Sequence, residues 1–225
     1  MNKDDFLEQV GKQYKTLIES KNGMNITADL RDLSAKLFKQ IEVKSLSNVL
    51  SICDELLRTD FNAFSIIVFD FAYRMRKVYN EHTFDVFEGW LQKYCTDWDT
   101  VDDFCSHAFG ELLKQNTKYF QRVVKWTKRD EWWMRRASAV ILIPMIRKNT
   151  LKYIDCFQIS DSLMYDEHYL VLKGYGWMLK EFSKHEPKLI INYLTKHKET
   201  MPRTAFRYAL EKLDAESKKT LMIKM

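Results

Sequence analysis

Six glycines and three prolines are all that interrupt 225 residues, and this scarcity constrains the fold more than any other feature of the chain. Both residues are poor in helix interiors, glycine through backbone entropy and proline through its missing N–H, so the chain is free to be helical nearly throughout. Apolar spacing points the same way: Phe6, Val10, Tyr14 and Leu17, then Leu30, Leu33, Leu37 and Ile41, then Leu46, Val49, Leu50, Cys53 and Leu57 recur every three or four positions,. The same periodicity predicts helices over Phe61 to Tyr79, apolar nearly all round from Phe64 to Phe71, and over Thr83 to Tyr94, Trp98 to Leu113, Thr117 to Trp126 and Glu131 to Ile146,. It continues near Thr150 to Phe157, over Asp166 to Phe182, Pro187 to Thr195 and Pro202 to Leu213, and in a tail from Glu216. Connections are short, as at Lys21-Asn22-Gly23, Thr59-Asp60 and Gln115-Asn116, and no alternating strand pattern appears,. About a dozen helices joined by brief turns predict an all-α fold, a HEAT-like solenoid of antiparallel helix pairs over residues 1–225 as one domain, with weak self-similarity and a concave face suited to a long partner.

Composition narrows the functional classes. With 46% hydrophobic and 14% aromatic residues the chain can fill a core,. Thirty-six Lys and Arg against 31 Asp and Glu leave a net charge of +5, which permits a nucleic-acid partner without requiring one,. The bases are unevenly placed: Lys114, Lys118, Arg122, Lys125, Lys128, Arg129, Arg135 and Arg136 outnumber the neighbouring acids Asp130 and Glu131, with Trp126, Trp132 and Trp133 interleaved. Such a run suits either solvated helix faces or a phosphate-tracking surface. Cys53, Cys95, Cys105 and Cys156 lack metal-ligand spacing and read as small core residues in a reducing compartment,. The five histidines converge with no Cys or Ser, so neither metal nor cofactor is expected. The polar start Met1-Asn2-Lys3-Asp4-Asp5 is unlike a signal peptide, and the apolar stretch Ala137 to Ile146 is too short for a bilayer,. A cytoplasmic monomer without membrane association is the expectation.

Three helices carry unusual side chains. Trp98 and Asp102 are one turn apart and share a face, although Thr96, Asp97 and the acids after them equally suit helix capping and the helix dipole,. Trp132-Trp133-Met134-Arg135-Arg136-Ala137 opens a second helix, where Arg136 could pair with Asp130 or Glu131. Lys173-Gly174-Tyr175-Gly176-Trp177-Met178-Leu179-Lys180-Glu181 fills a third, where Trp177 could equally be core and the glycines could serve close helix packing or close approach of a DNA backbone,. Arg203 and Arg207, four apart, are candidate phosphate contacts, with Lys128, Arg129, Arg135 and Lys173 beside them.

The spaced elements Trp98-Asp-x-Val-Asp102, Trp133-x-x-Arg136-Ala, Lys173-x-x-Gly-Trp177-x-Leu-x-Glu181 and Pro202-Arg-Thr-Ala-Phe-Arg-Tyr-Ala209 resemble the DNA alkylation repair family of HEAT-like glycosylases, over about Tyr94 to Leu213,. The family's first-half Gly-x-x-x-Pro-x-x-Arg element keeps only Gly23 and Arg31 here and lacks the proline. The resemblance implies that Trp98 and Trp177 flank the deoxyribose of a damaged nucleotide, that Asp102 is the catalytic carboxylate and that Arg136 anchors a backbone phosphate. The substrate implied is duplex DNA with purines alkylated at N3 or N7. Alkylation there makes the base cationic and already a good leaving group, so one ionised carboxylate near the sugar meets the main remaining need. The position of Asp102 in the first turns of its helix is expected to favour the ionised form. The contrasting reading is a non-catalytic helical scaffold that binds DNA or a protein along its concave face.

Overall fold

The computed structural model describes residues 2–21, 26–151 and 154–223. Asn22 and Gly23, on which the first predicted turn and the first family element fall, lie outside these. Helices account for the regular structure among the described residues, without strands, and none is long and apolar enough to cross a membrane. The chain forms two compact units, Met1–Phe87 and Glu88–Met225.

In the first unit, α1 (Lys3–Lys21) buries Phe6 and Val10, while α2 (Thr27–Gln40) buries Leu30, Leu33 and Leu37. Both pack on α3 (Leu46–Arg74). Periodicity predicted two helices divided at Thr59-Asp60, and the chemistry of that division is present without a turn. Asp60 leaves the helical region (φ −159°, ψ 97°), and its Oδ1 accepts the Ala63 N–H at 3.0 Å, capping the second half so that the halves abut across a kink,. The second half ends at Arg74 rather than Tyr79 because the chain tightens into a 3₁₀ turn at Arg76–Val78,. Its apolar girdle is buried as expected, with Ile67, Val68, Phe69 and Phe71 inaccessible. The acid within it, Asp70, takes hydrogen bonds from Ser34 Oγ (2.6 Å) and Arg74 Nε (2.7 Å), which offset the cost of burying its charge,.

Helix α4 (Glu81–Lys93) carries the boundary between the units. The second unit continues with α5 (Trp98–Ser106), α6 (Ala108–Gln115), α7 (Phe120–Trp126), α8 (Trp132–Val140) and α9 (Ile143–Arg147). After these come α10 (Phe157–Ser162), α11 (Tyr169–Phe182), α12 (Pro187–Lys196), α13 (Arg203–Leu210) and α14 (Ala215–Met222).

Two predicted long helices are each broken. The stretch from Trp98 divides at His107 (φ −117°, ψ −98°), and the reversal closes onto Gly110, where a Cβ would lie 2.3 Å from the Cys105 carbonyl oxygen. The stretch from Glu131 divides before Pro144, which has no N–H to give to a preceding turn and therefore sits at the start of α9,. Helix α9 ends on Asn149 in the left-handed region (φ 52°), with Asn149 N–H on Ile146 O and Thr150 N–H on Met145 O, both at 2.9 Å,. The short helix expected near Thr150 to Phe157 instead lies at Phe157–Ser162, and residues 152 and 153 fall outside the described set.

Within this unit α5 packs on α8, α8 on α11 and α11 on α13. The row has a register. Trp98 and Trp132 open α5 and α8, Asp102 and Arg136 are the fifth residues of those helices, and the Asp102–Arg136 and Arg136–Leu170 contacts both span 34 residues. Successive helices of the row therefore present equivalent positions to one another, as stacked repeats do. Phe104, Phe109 and Trp126 form a chain of ring contacts (5.4 and 5.3 Å between centroids) beneath it.

Candidate active site

The repeat register places Asp102 opposite Arg136. Arg136 Nε donates to Asp102 Oδ1 at 2.9 Å and Nη2 to Oδ2 at 2.7 Å, the bidentate fork that guanidinium and carboxylate planes favour,. Its Nη1 donates to the Leu170 carbonyl in the first turn of α11, so one side chain ties three helices together. Arg136 is only 5% exposed. The resemblance implies a phosphate anchor here, whereas the guanidinium is committed to Asp102 and Leu170, and neither Asp130 nor Glu131 is its partner.

Asp102 faces a different environment from the one its helical position suggests. Burial raises its pKa from the ordinary aspartate value, and the hydrogen bonds and charge of Arg136 oppose that rise without cancelling it,. Loss of water is the largest influence on the group, a contribution that its place in the first turns of α5 does not reveal. One turn before it, Trp98 is 52% exposed, an indole open to solvent at the head of α5. Asp97 occupies the N-cap position without a side-chain cap bond, and Thr100 Oγ1 donates to the Asp97 carbonyl at 2.9 Å.

Trp177 is half-buried on α11, one turn beyond Gly174. A Cβ on Gly174 would meet Arg136 Cγ at 3.1 Å, so the glycine lets the Arg136 side chain lie against the helix. Close packing thus accounts for Gly174, and also for Gly176, which faces Tyr208 and Ala205 of α13. The Trp177 ring is fixed at its polar edge, where Nε1 donates to Glu181 Oε1 at 3.1 Å, and Arg147 lies 5.4 Å from the ring centroid,.

Glu181, 3% exposed, is the hub of that second cluster. Arg147 Nε (3.2 Å) and Lys184 Nζ (2.6 Å) both donate to its Oε2. Burial pushes its carboxyl up, but the donors Arg147, Lys184 and Trp177 outweigh burial and hold it at about 2,. The residue was visible in sequence as part of the third element without a role. Arg147 was not singled out, although it precedes Glu181 by the same 34 residues that separate Asp102 from Arg136.

The basic run is largely neutralised within the fold. Lys114 pairs with Glu111, Arg122 with Glu88, Arg129 with Glu131 (3.1 Å) and Arg135 with Asp166 (2.6 Å). Arg135 also donates to the Arg129 and Asp130 carbonyls, fastening α8 to the segment before α11. The interleaved tryptophans join helices: Trp126 donates to Glu88, Trp133 to the Gln92 carbonyl, and Trp132 stacks on His168 at 4.6 Å. Lys128, Arg203 and Arg207 are exposed, and Lys173 sits 4.3 Å from the centroid of the Tyr169 ring. No cluster of three metal-ligating side chains occurs among the described residues.

Comparison with known proteins agrees with this fold. An Enterococcus faecalis protein described as a predicted DNA alkylation repair enzyme superposes with a TM-score of 0.72 at 14% identity, over 89% of this chain and 96% of that one. The crystal structure of smu.31 from Streptococcus mutans gives a TM-score of 0.66 at 15% identity, over 93% of this chain and all of that one. No curated protein sequence matches. The family described as DNA alkylation repair enzyme matches residues 23–213, a span that contains Trp98, Asp102, Arg136 and Trp177. The chain belongs to the DNA alkylation repair enzyme family.

Proposed function

We propose that the protein is a monofunctional DNA glycosylase that hydrolyses the N-glycosidic bond of cationic N3- or N7-alkylated purines in duplex DNA and leaves an abasic site. The observation that carries this reading is the Asp102 carboxylate gripped by Arg136 one turn from an open indole. A cationic base leaves as a neutral molecule, so the bond needs no protonation; the barrier lies in positive charge growing on the sugar. A carboxylate about 4 Å from that charge, at an effective dielectric constant near 20, is worth about 4 kcal/mol, or roughly a thousandfold in rate, before the opposing charge of Arg136 is counted. Each Asp102 oxygen accepts one hydrogen bond from Arg136, and its remaining lone pairs are available to orient water.

The other side chains have parts in the same reading. Arg136 positions the carboxylate and favours its ionised form. The Trp98 and Trp177 faces flank the sugar and favour its developing charge. Lys128, Lys173, Arg203 and Arg207 are offered to phosphates. Arg129 and Arg135 serve mainly to hold the frame on which these stand. No cofactor takes part, and the protein acts as a monomer in the cytoplasm. The test is release of 7-methylguanine or 3-methyladenine from methylated duplex DNA by the purified protein, with Asp102→Asn as control. Binding without release would instead favour a damage-recognising scaffold.

A further inference from the structure

One stripe of α11 receives two arginines. Leu170, Gly174, Trp177 and Glu181, at spacings of four, three and four, share a face; Arg136 of α8 meets the first two and Arg147 of α9 the last two,. The two arginines are held differently. Arg136 is 5% exposed and donates to Asp102 at 2.9 and 2.7 Å and to the Leu170 carbonyl. The Arg147 side chain, at the end of α9, is 50% exposed, and its two hydrogen bonds to Glu181, Nε to Oε2 and Nη2 to Oε1, are 3.2 and 3.3 Å long. An ion pair with one partner so exposed adds little to stability.

Glu181 does not depend on Arg147. Without it, Oε2 still accepts from Lys184 Nζ at 2.6 Å and Oε1 from Trp177 Nε1 at 3.1 Å, so neither buried carboxylate oxygen is orphaned,. The guanidinium is therefore free to leave while the polar edge of the indole stays fixed. What it uncovers is the Trp177 ring, whose centroid lies 5.4 Å from Arg147 Cζ. No aromatic ring packs on Trp177 among the described residues, so Arg147 is what occupies this indole. A guanidinium is a planar, delocalised cation, and the ring quadrupole that attracts it attracts any other cation to the same place. With Arg147 present, two cations, Arg147 and Lys184, surround one carboxylate. A substrate cation added to these would be a third and is repelled, whereas one that replaces Arg147 leaves the local charge unchanged.

We propose that Arg147 is an internal competitor for the positive charge of the substrate: it rests on Trp177, yields to a cationic nucleotide and returns once that charge is gone. The assignment rests on the reading in which Trp177 faces the damaged nucleotide. A neutral nucleotide that moves Arg147 aside makes no equivalent contact with the ring, so undamaged DNA leaves the indole covered. Hydrolysis leaves base and sugar both neutral, and Arg147 then retakes the ring from the product.

The test is fluorescence anisotropy with the full chain and two labelled duplexes that differ at one central position. One carries a pyrrolidine abasic analogue, cationic at neutral pH, and the other a tetrahydrofuran abasic analogue of similar shape without the charge. Neither has a base to lose, so the readout is independent of base release. Wild type is compared with Arg147→Gln and Arg147→Lys after circular dichroism establishes folding, and Arg147→Met replaces Arg147→Gln if that variant does not fold. Loss of one positive charge weakens both duplexes alike and cancels in the ratio of their affinities. The preference for the cationic duplex is expected to rise roughly three- to fivefold in Arg147→Gln and to stay near the wild-type value in Arg147→Lys. A preference that is unchanged or lower in Arg147→Gln marks Arg147 as a brace for the indole and overturns the proposal, as does a rise of equal size in Arg147→Lys. The expected pattern in a protein that releases no alkylated base leaves the role of Arg147 standing and removes the glycosylase reading. Base release by a wild type whose preference Arg147→Gln does not raise does the reverse, and a wild type that binds neither duplex overturns both.

Discussion

Arg136 meets Asp102 through two parallel hydrogen bonds while its remaining amino group holds the Leu170 carbonyl, so the carboxylate central to the proposed chemistry is fixed by the same side chain that joins α5, α8 and α11. That arrangement separates two roles for Arg136, service to the carboxylate and service to a phosphate.

The first prediction uses pH. Burial raises the Asp102 pKa and Arg136 opposes the rise. Catalysis by the ionised form is complete above that pKa and falls away as pH drops through it, on an acid limb above the ordinary 3.8 of an aspartate,. Arg136→Gln removes the opposing charge, so the acid limb of kcat moves to higher pH. A phosphate-anchoring role would weaken DNA binding instead and leave the limb in place. A kcat–pH profile beside a binding titration distinguishes them.

Glu181 and Trp177 are predicted to act as one unit. Glu181→Gln loses the ionic partners that fix its side chain, and Trp177→Phe loses the N–H that reaches it. If Glu181 acts on base release through the indole, each change lowers kcat several-fold and the double variant is little worse than Trp177→Phe alone. Single-turnover base release by the four proteins checks this; additive losses would show that Glu181 acts elsewhere.

The same carboxyl links stability to acid. Its folded-state pKa of about 2 lies below the ordinary 4.5, so the stabilisation from Arg147, Lys184 and Trp177 is present above pH 4.5 and is lost as pH falls toward 2,. Chemical denaturation of wild type and Glu181→Gln at pH 7 and pH 3 should give a larger stability difference at the higher pH.

The glycines give opposite signs. Gly176→Ala places a methyl group against the Ala205 backbone, which cannot swing aside, and is expected to cost about 1–3 kcal/mol,. Gly89→Ala, in an exposed helix interior with nothing within 4 Å of the new methyl, is expected to gain about 0.5–1 kcal/mol,. Thermal melts of the two variants read both effects.

The helical character of the chain and much of its core were legible in the sequence because apolar spacing of three and four reports one buried face directly, as at Leu30, Leu33 and Leu37,. Helix breaks were less so. Pro144 announces its break through the missing N–H, whereas His107 has no breaking chemistry of its own, and the reversal there rests on Gly110 and the packing around it. The candidate residues were legible as motif, and their partnership was not. Nothing adjacent in the chain pairs Asp102 with Arg136, because the pairing is made by a 34-residue register with no fixed consensus. The upward push of burial on Asp102 was illegible for a related reason: that burial comes from neighbouring helices, which local sequence does not describe.

Base release remains the most direct test of the central claim. Wild-type protein and Asp102→Asn, matched for folding by circular dichroism, are incubated with methylated duplex DNA under single-turnover conditions, and the freed bases are resolved by chromatography. The proposed chemistry predicts 7-methylguanine or 3-methyladenine from wild type and a rate lower by roughly a hundredfold or more in Asp102→Asn. Equal release by the two proteins, or none by wild type, would contradict it.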